Sequence, residues 1–170
     1  MHNYKLYQSE HVLKNQQHFI DQCVQVKESF PFEDTTNSYY KYNIFSLTAG
    51  SVYFYALYKE LKDFIRTQLP TQQLWMQSWV NMHTQENVLD WHDHSWDYHG
   101  YISIDPKNTT TEFKRYTITN NVGQIYFGPG GNMHKVNVVT PYTGDRITIG
   151  YDVSTSPVMH TGCLGLFPLI

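Results

Sequence analysis

The chain has 170 residues, with 12 Lys and Arg against 15 Asp and Glu, a net charge of −3 and a charged fraction of 16%. That fraction lies well below the roughly 25% of an ordinary soluble domain, while Tyr, Phe and Trp together also reach 16%. So much aromatic surface excludes a disordered chain, the acidic balance without a basic block excludes duplex nucleic acid as the main partner, and the longest apolar run, residues 52–58, is too short to cross a bilayer.

At this length one core buries about 70% of the unfolded surface, so neither a disulfide nor a structural metal is required. A single domain over residues 1–170 is expected, as a monomer or homodimer. Two widely separated thiols, Cys23 and Cys163, read as a reduced, cytoplasmic protein. The polar N-terminal residues 1–10 carry no secretory signal.

Helices come first. Residues 12–26 show a weak amphipathic pattern in Val12, Phe19, Ile20, Cys23 and Val24, with Pro31 beyond it. From Ser51 the pattern is stronger: Phe54, Leu57, Leu61, Ile65 and Leu69 recur at helical spacing, Ser51 is placed to cap, and Pro70 stops the run. After Pro70 the period changes to two. In residues 74–83, Trp75, Gln77, Trp79, Asn81 and His83 alternate with Leu74, Met76, Ser78, Val80 and Met82, the pattern of a strand with two different faces. Further strands are expected at 100–104, 112–118, 124–127, 135–139 and 146–153, separated by turn-forming clusters such as Asp105-Pro106 and Gly128-Pro129-Gly130-Gly131. The fold class is therefore mainly β with two supporting N-terminal helices, a sandwich or small barrel: residues 1–70 support, 71–155 form the β core, and 156–170 form a tail.

Histidine is the anomaly. Nine are present, and His83, His92, His94 and His99 cluster beside Asp90, Asp93 and Asp97. In an extended segment residues i and i+2 point the same way, so His92 and His94 can present two imidazoles to one point. His134, after the glycine-rich loop and just before a strand, can supply a third. Imidazoles with at most one carboxylate suit Fe, Zn, Cu or Ni rather than Ca or Mg. His2, His11, His18 and His160 read as ordinary hydrogen-bonded rings, and His99 as a ring packed beside Tyr101. His94 stays open between metal ligand and hydrogen-bonding partner of one. Downstream, Arg146 and Thr148 share one face of a strand expected to form a hairpin with the His134 strand. A guanidinium fork beside a hydroxyl suits a carboxylate.

These stretches resemble the 2-oxoglutarate- and Fe(II)-dependent oxygenases, in particular their short prolyl-hydroxylase-like members. That pattern has a Trp-x-Asn strand, a His-x-Asp or His-x-His rim, a strand of the type Ser-Gly-Val-Tyr-Tyr-Leu, then a distal His followed by Val, and an Arg-x-Ser. The corresponding residues are Trp79-Val80-Asn81, His92-Asp93-His94, His99-Gly100-Tyr101-Ile102-Ser103-Ile104, His134-Lys135-Val136 and Arg146-Ile147-Thr148, a match over about residues 74–153. The resemblance implies a double-stranded β-helix of jelly-roll or cupin-like type, with His92, His94 and His134 around Fe(II). It further implies that Arg146 and Thr148 hold the distal carboxylate of 2-oxoglutarate as a small-molecule cosubstrate, while Tyr101 lines its pocket. The implied activity is oxidative decarboxylation of 2-oxoglutarate by O2 to succinate and CO2, coupled to hydroxylation of a peptide or small-molecule substrate. No side chain beyond these ligands is assigned a catalytic role. Trp91, Trp96 and Tyr98 are candidates to grip the substrate. Most of the superfamily has a carboxylate where His94 stands, which leaves a three-His site, a site completed by water or by Asp97, or a decayed site.

Two other readings compete. Gly123, Pro129, Gly131 and His134 fit most of a cupin motif, Gly-x5-Pro-x-Gly-x2-His, but the Asn expected beyond it falls one position early at Asn137, and the Glu of the first motif is missing. Such a cupin would not use 2-oxoglutarate. The remaining reading is a metal-free binding module on the same fold.

Overall fold

The computed structural model of the protein describes residues 3–29, 42–156 and 165–169. The expectations for His2, Pro31, His160 and Cys163 therefore lie outside the described residues.

A short strand, β1 (Lys5–Gln8), leads into α1 (Glu10–Lys14) and α2 (Gln16–Ser29). The single helix expected over residues 12–26 is thus two. Ser9 caps the first, its Oγ accepting from Val12 N at 3.1 Å, and Asn15 ends it by donating its side-chain amide to His11 O at 2.8 Å. Both residues compete with continuous helix by bonding the local backbone. After the one-turn α3 (Ile44–Leu47) comes α4 (Val52–Gln68), where Ser51 caps as its position predicts. Phe54, Leu57, Leu61 and Ile65 form the buried stripe of α4. Burying each such side chain is worth roughly 1.5–3 kcal/mol, which is what docks the helix on the sheet. No helix among the described residues is long and apolar enough to cross a membrane.

The strands that follow are β2 (Trp75–His83), β3 (Tyr98–Asp105), β4 (Thr109–Phe113), β5 (Tyr116–Thr119), β6 (Gln124–Pro129), β7 (His134–Val138), β8 (Arg146–Ser154) and β9 (Phe167–Pro168). They form a six-stranded antiparallel sheet in the order β1-β6-β3-β8-β2-β9 and a smaller sheet in the order β5-β4-β7. Beyond β7 the chain at Leu89 and His92 completes the small sheet: Val136 N donates to Leu89 O at 2.9 Å, and His92 and His134 exchange backbone bonds of 2.9 and 2.8 Å. Counting that segment as a strand, the two faces interleave alternate strands of the chain, β2-β8-β3-β6 against the Leu89–His92 segment, β7, β4 and β5. This is a double-stranded β-helix of jelly-roll, cupin-like form.

Two strand expectations change. Residues 112–118 hold a hairpin rather than one strand, because Lys114 and Arg115 make a two-residue turn between Phe113 and Tyr116 without any Gly or Asn to announce it. The hairpin expected between the His134 and Arg146 strands is absent: β7 pairs with β4, whereas β8 pairs with β2 and β3. The intervening loop crosses from one sheet to the other, so these two strands face each other across the interior. β1 and β9, each short and unannounced by periodicity, extend the edges of the large sheet.

Burial explains the alternation along β8. Ile147, Ile149, Tyr151 and Val153 join the core packed by the helices. Arg146, Thr148, Gly150 and Asp152 point the other way, toward the space between the sheets, and are also buried or cavity-lining. Gly150 is required there: a Cβ would come within 2.5 Å of the Trp79 indole that lies across it.

Candidate functional site

The space between the sheets is a cavity of about 390 Å³, in the size range of small-molecule sites. Its mouth carries His92, Asp93, His94 and Ser95, and its depth carries Tyr101, Thr111, Arg146 and Thr148. Gly130 fixes the mouth. Its carbonyl accepts from His94 N at 3.0 Å, its N donates to Asp97 O at 3.2 Å, and any Cβ would collide with the Trp96 carbonyl.

His92, His94 and His134 each offer a ligand atom within 4.8 Å of the others. The hydrogen bonds behind the rings decide which nitrogen is offered. His92 Nδ1 lies 2.7 Å from Asp90 O, and His134 Nδ1 lies 2.8 Å from Asn132 O. A carbonyl oxygen can only accept, so both Nδ1 atoms carry the hydrogen and both Nε2 atoms keep the lone pair a metal needs. Burial pushes His92 down, and burial together with the neighbouring His99 and His92 pushes His134 down to about 2. Neutral rings are the metal-binding form. A transition-metal ion therefore fits the donor set present.

Behind His94 and His99 stands Asp152, fully buried near the C-terminal end of β8. Its Oδ1 accepts from His99 Nδ1 at 2.9 Å and from His94 Nδ1 at 3.1 Å, and its Oδ2 accepts from Gln77 Nε2 at 3.2 Å. Burial opposes ionisation of this carboxyl, but the bonds from His94 and His99 outweigh it and hold the group below the usual carboxylate range. His99 stacks on His94 with ring centroids 3.6 Å apart, not on Tyr101 as its strand position led one to expect. Asp97 is elsewhere: its Oδ2 accepts from Thr155 N at 2.7 Å and from Thr155 Oγ1 at 2.8 Å, so the carboxylate beside the imidazoles is Asp152 instead.

Across the cavity, Arg146 is 3% exposed and its Nε donates to Thr109 Oγ1 at 3.4 Å. Among the described residues no carboxylate lies within ion-pair distance of its guanidinium. Burial lowers its pKa, yet an arginine stays charged at neutral pH. Asn120 ties the surrounding floor together, accepting from Tyr101 Oη and Thr111 Oγ1 at 3.1 Å each and donating to Thr109 Oγ1 at 3.1 Å. Asn81 donates to Thr148 Oγ1 at 3.3 Å, which leaves the Thr148 hydroxyl hydrogen to give to a ligand.

The structure thus brings all six sequence-designated residues, His92, His94, Tyr101, His134, Arg146 and Thr148, to one cavity. Trp91, Trp96 and Tyr98 do not line it: Trp91 lies under Lys114 Nζ at 3.6 Å, Trp96 is buried, and Tyr98 stacks on Phe127. Trp79 and Tyr101 form walls of the cavity, while Tyr126 packs behind Tyr101. Sequence reading missed Asp152, Gln77, Thr109 and Asn120. For Asp152 the signal was present, since it shares the strand face of Arg146 and Thr148 at even spacing.

No protein-family model matches the chain, and no curated protein matches it in sequence. Among solved structures, a cupin-2 domain containing protein from Shewanella frigidimarina is 19% identical over 45% of this chain and 69% of its own, with a TM-score of 0.35. A non-heme monooxygenase, ThoJ in its nickel complex, is 11% identical over 65% of this chain and 52% of its own, with a TM-score of 0.44. The chain thus aligns with about half of the monooxygenase's length.

Proposed function

We propose that the cavity is the active site of an Fe(II)- and 2-oxoglutarate-dependent oxygenase that hydroxylates a peptide or small-molecule substrate. The observation that carries this reading is Arg146: a buried cation with no acid partner among the described residues, facing the same cavity as the three imidazoles. A buried charge without a counter-charge is costly, and a dicarboxylate reaching from the imidazoles to the guanidinium would supply one. Bound there, iron and 2-oxoglutarate would supply the chemistry by which O2 converts a substrate C–H bond into an alcohol, one oxygen atom going to the alcohol and the other to succinate, with CO2 released.

The chain's own residues do the rest. His92, His94 and His134 would hold the metal by Nε2. Arg146 and the Thr148 hydroxyl would bind the distal carboxylate, while Tyr101 and Thr111 wall its path. Trp79, Leu89 and Val136 line the cavity with apolar surface that limits water. Low local dielectric strengthens the grip of the guanidinium.

A cupin-type metal protein that does not use 2-oxoglutarate is the second reading, favoured by the all-imidazole ligand set and by the Gly123 to His134 motif. Anaerobic titration of the Fe(II)-loaded protein with 2-oxoglutarate separates the two. A weak visible charge-transfer band that saturates with 2-oxoglutarate is expected. Bound iron without such a band favours the cupin, and a protein that takes up no iron defeats both in favour of a metal-free module.

A further inference from the structure

We propose that Asp152 is the positioning residue of the metal centre: a buried carboxylate that locks the His94 ring with Nδ1 protonated and Nε2 facing the ion, and supplies from behind the imidazole the negative charge that three neutral ligands lack. This rests on His92, His94 and His134 being the ligands, and not on 2-oxoglutarate.

Three observations converge. The first is the acceptor geometry. His92 and His134 have their Nδ1 hydrogens fixed by carbonyls two residues upstream, a purely local device. The His94 Nδ1 meets a carboxylate from a distant strand, Asp152 Oδ1 at 3.1 Å and Oδ2 at 3.3 Å. An ionised carboxylate can only accept, so the His94 hydrogen must sit on Nδ1. The second is the rigidity of the carboxylate. Asp152 lies in the middle of the large sheet, opposite His99 on β3 and opposite Gln77 on β2. Both of these cross-strand partners donate to it, at 2.9 and 3.2 Å. The stacked pair His94 and His99, with rings inclined by 12°, therefore sits on one acid as on a clamp.

The third is charge. A divalent ion among three neutral imidazoles, with the Arg146 guanidinium across the cavity, concentrates positive charge in a buried space. Where the coordinating carboxylate of a two-His, one-carboxylate site is replaced by His94, the compensating charge must come from elsewhere. Asp93 is exposed at the mouth and Asp97 is engaged by Thr155. Among the described residues Asp152 is the acid that touches a ligand ring directly. Carboxylates so placed raise ligand basicity, and losing one typically weakens metal affinity 10–100-fold.

The test uses the full chain with Zn(II) alone as a diamagnetic probe. In the wild-type protein, long-range ¹H–¹⁵N spectra of the imidazoles are expected to show His94 with its hydrogen on Nδ1 and Nε2 bound to zinc. This measurement needs no variant to fold. A His94 ring protonated on Nε2, or bound through Nδ1, overturns the proposal. Asp152→Asn is then compared with wild type by competitive Zn(II) titration, with thermal melting as the check on folding, and a 10–100-fold weaker dissociation constant is expected. The same substitution in a His94→Ala background should cost nothing further, because Asp152 acts through that ring. Equal losses in both backgrounds would assign Asp152 a merely structural role. A wild-type chain that binds no Zn(II) defeats the ligand assignment itself. Zinc bound equally well by wild type and Asp152→Asn leaves the ligand assignment standing and defeats only the role given to Asp152.

Discussion

Replacing Arg146 by Met distinguishes a ligand-binding arginine from a structural one, because the two roles predict opposite effects on stability. The substitution keeps an unbranched apolar stem and removes the guanidinium with its charge and donors. If Arg146 grips a carboxylate with two charge-assisted hydrogen bonds, each worth about 1.5–3 kcal/mol, the loss is roughly 3–6 kcal/mol, or about 100-fold to 10,000-fold in the dissociation constant of 2-oxoglutarate. Isothermal titration of the metal-loaded protein under anaerobic conditions reads this directly, and metal content should not change. In the ligand-free protein the expectation reverses. Arg146 there makes one long bond of 3.4 Å to Thr109 and has no acid partner among the described residues, so its burial is largely uncompensated. Met should leave the melting temperature unchanged or raise it, by about 2–4 °C per kcal/mol for a chain of this size. Unaltered 2-oxoglutarate affinity, or a ligand-free variant that melts many degrees lower, would refute the reasoning.

Other perturbations probe the metal, the cavity wall and the buried rings. His134→Ala should lose at least most of its iron by elemental analysis while the large sheet, to which His134 does not belong, keeps its strand signal; full metal content would contradict the ligand set. Gly150→Leu should drive the Trp79 indole into the cavity, since even a Cβ comes within 2.5 Å of it, and should abolish 2-oxoglutarate binding with metal retained; unchanged affinity would mean that the cosubstrate does not pass Trp79. Acidification should destabilise the metal-free protein in a defined window. Burial holds His99 down at about 4 and His134 at about 2, from 6.5, so below pH 6.5 the unfolded chain binds protons that the folded chain does not. Stability is therefore fully present above about pH 7 and falls as the pH drops, by up to about 1.4 kcal/mol per pH unit for each ring. Chemical denaturation at pH 6.5 and 5 checks this, and a flat profile would show that the rings are not held neutral. Leu61→Ala, in the fully buried stripe of α4, should cost about 2–5 kcal/mol in urea unfolding, and a loss below about 1 kcal/mol would mean that the helix is not docked on the sheet.

Much of the β core was legible because its signals are local. The alternation in β2 and β8 marks strands, and the turn residues between β3 and β8 mark most of their ends. Two features escaped for physical reasons. The Lys114-Arg115 turn has no special backbone residue to betray it, so β4 and β5 read as one strand. The Leu89–His92 segment pairs with β7 through a few bonds only and lacks alternation, so the stretch that carries His92 read as an extended rim rather than as a strand of the small sheet. The hairpin expected between β7 and β8 shows the limit of adjacency as a guide. In a jelly roll a short connection can cross from sheet to sheet, and here that crossing sets Arg146 opposite His134 rather than beside it.

The acid next to the imidazoles illustrates the same limit at the level of the site. Asp93 and Asp97 drew attention because they flank His94 along the chain, yet neighbours in sequence at a cavity mouth are free to point outward, and Asp97 turns to the backbone of Thr155. A carboxylate that must hold a ring still needs partners which cannot move, and such partners come from paired strands. Asp152 has them because antiparallel register sets it opposite His99 on one side and Gln77 on the other. The place to look was therefore not along the histidine segment but along β8, counting in twos from Arg146 through Thr148 and Gly150. On that face the same period that aims a cation at one end of the cavity aims an anion at the other, the separation that the proposed dicarboxylate and metal would require of one strand.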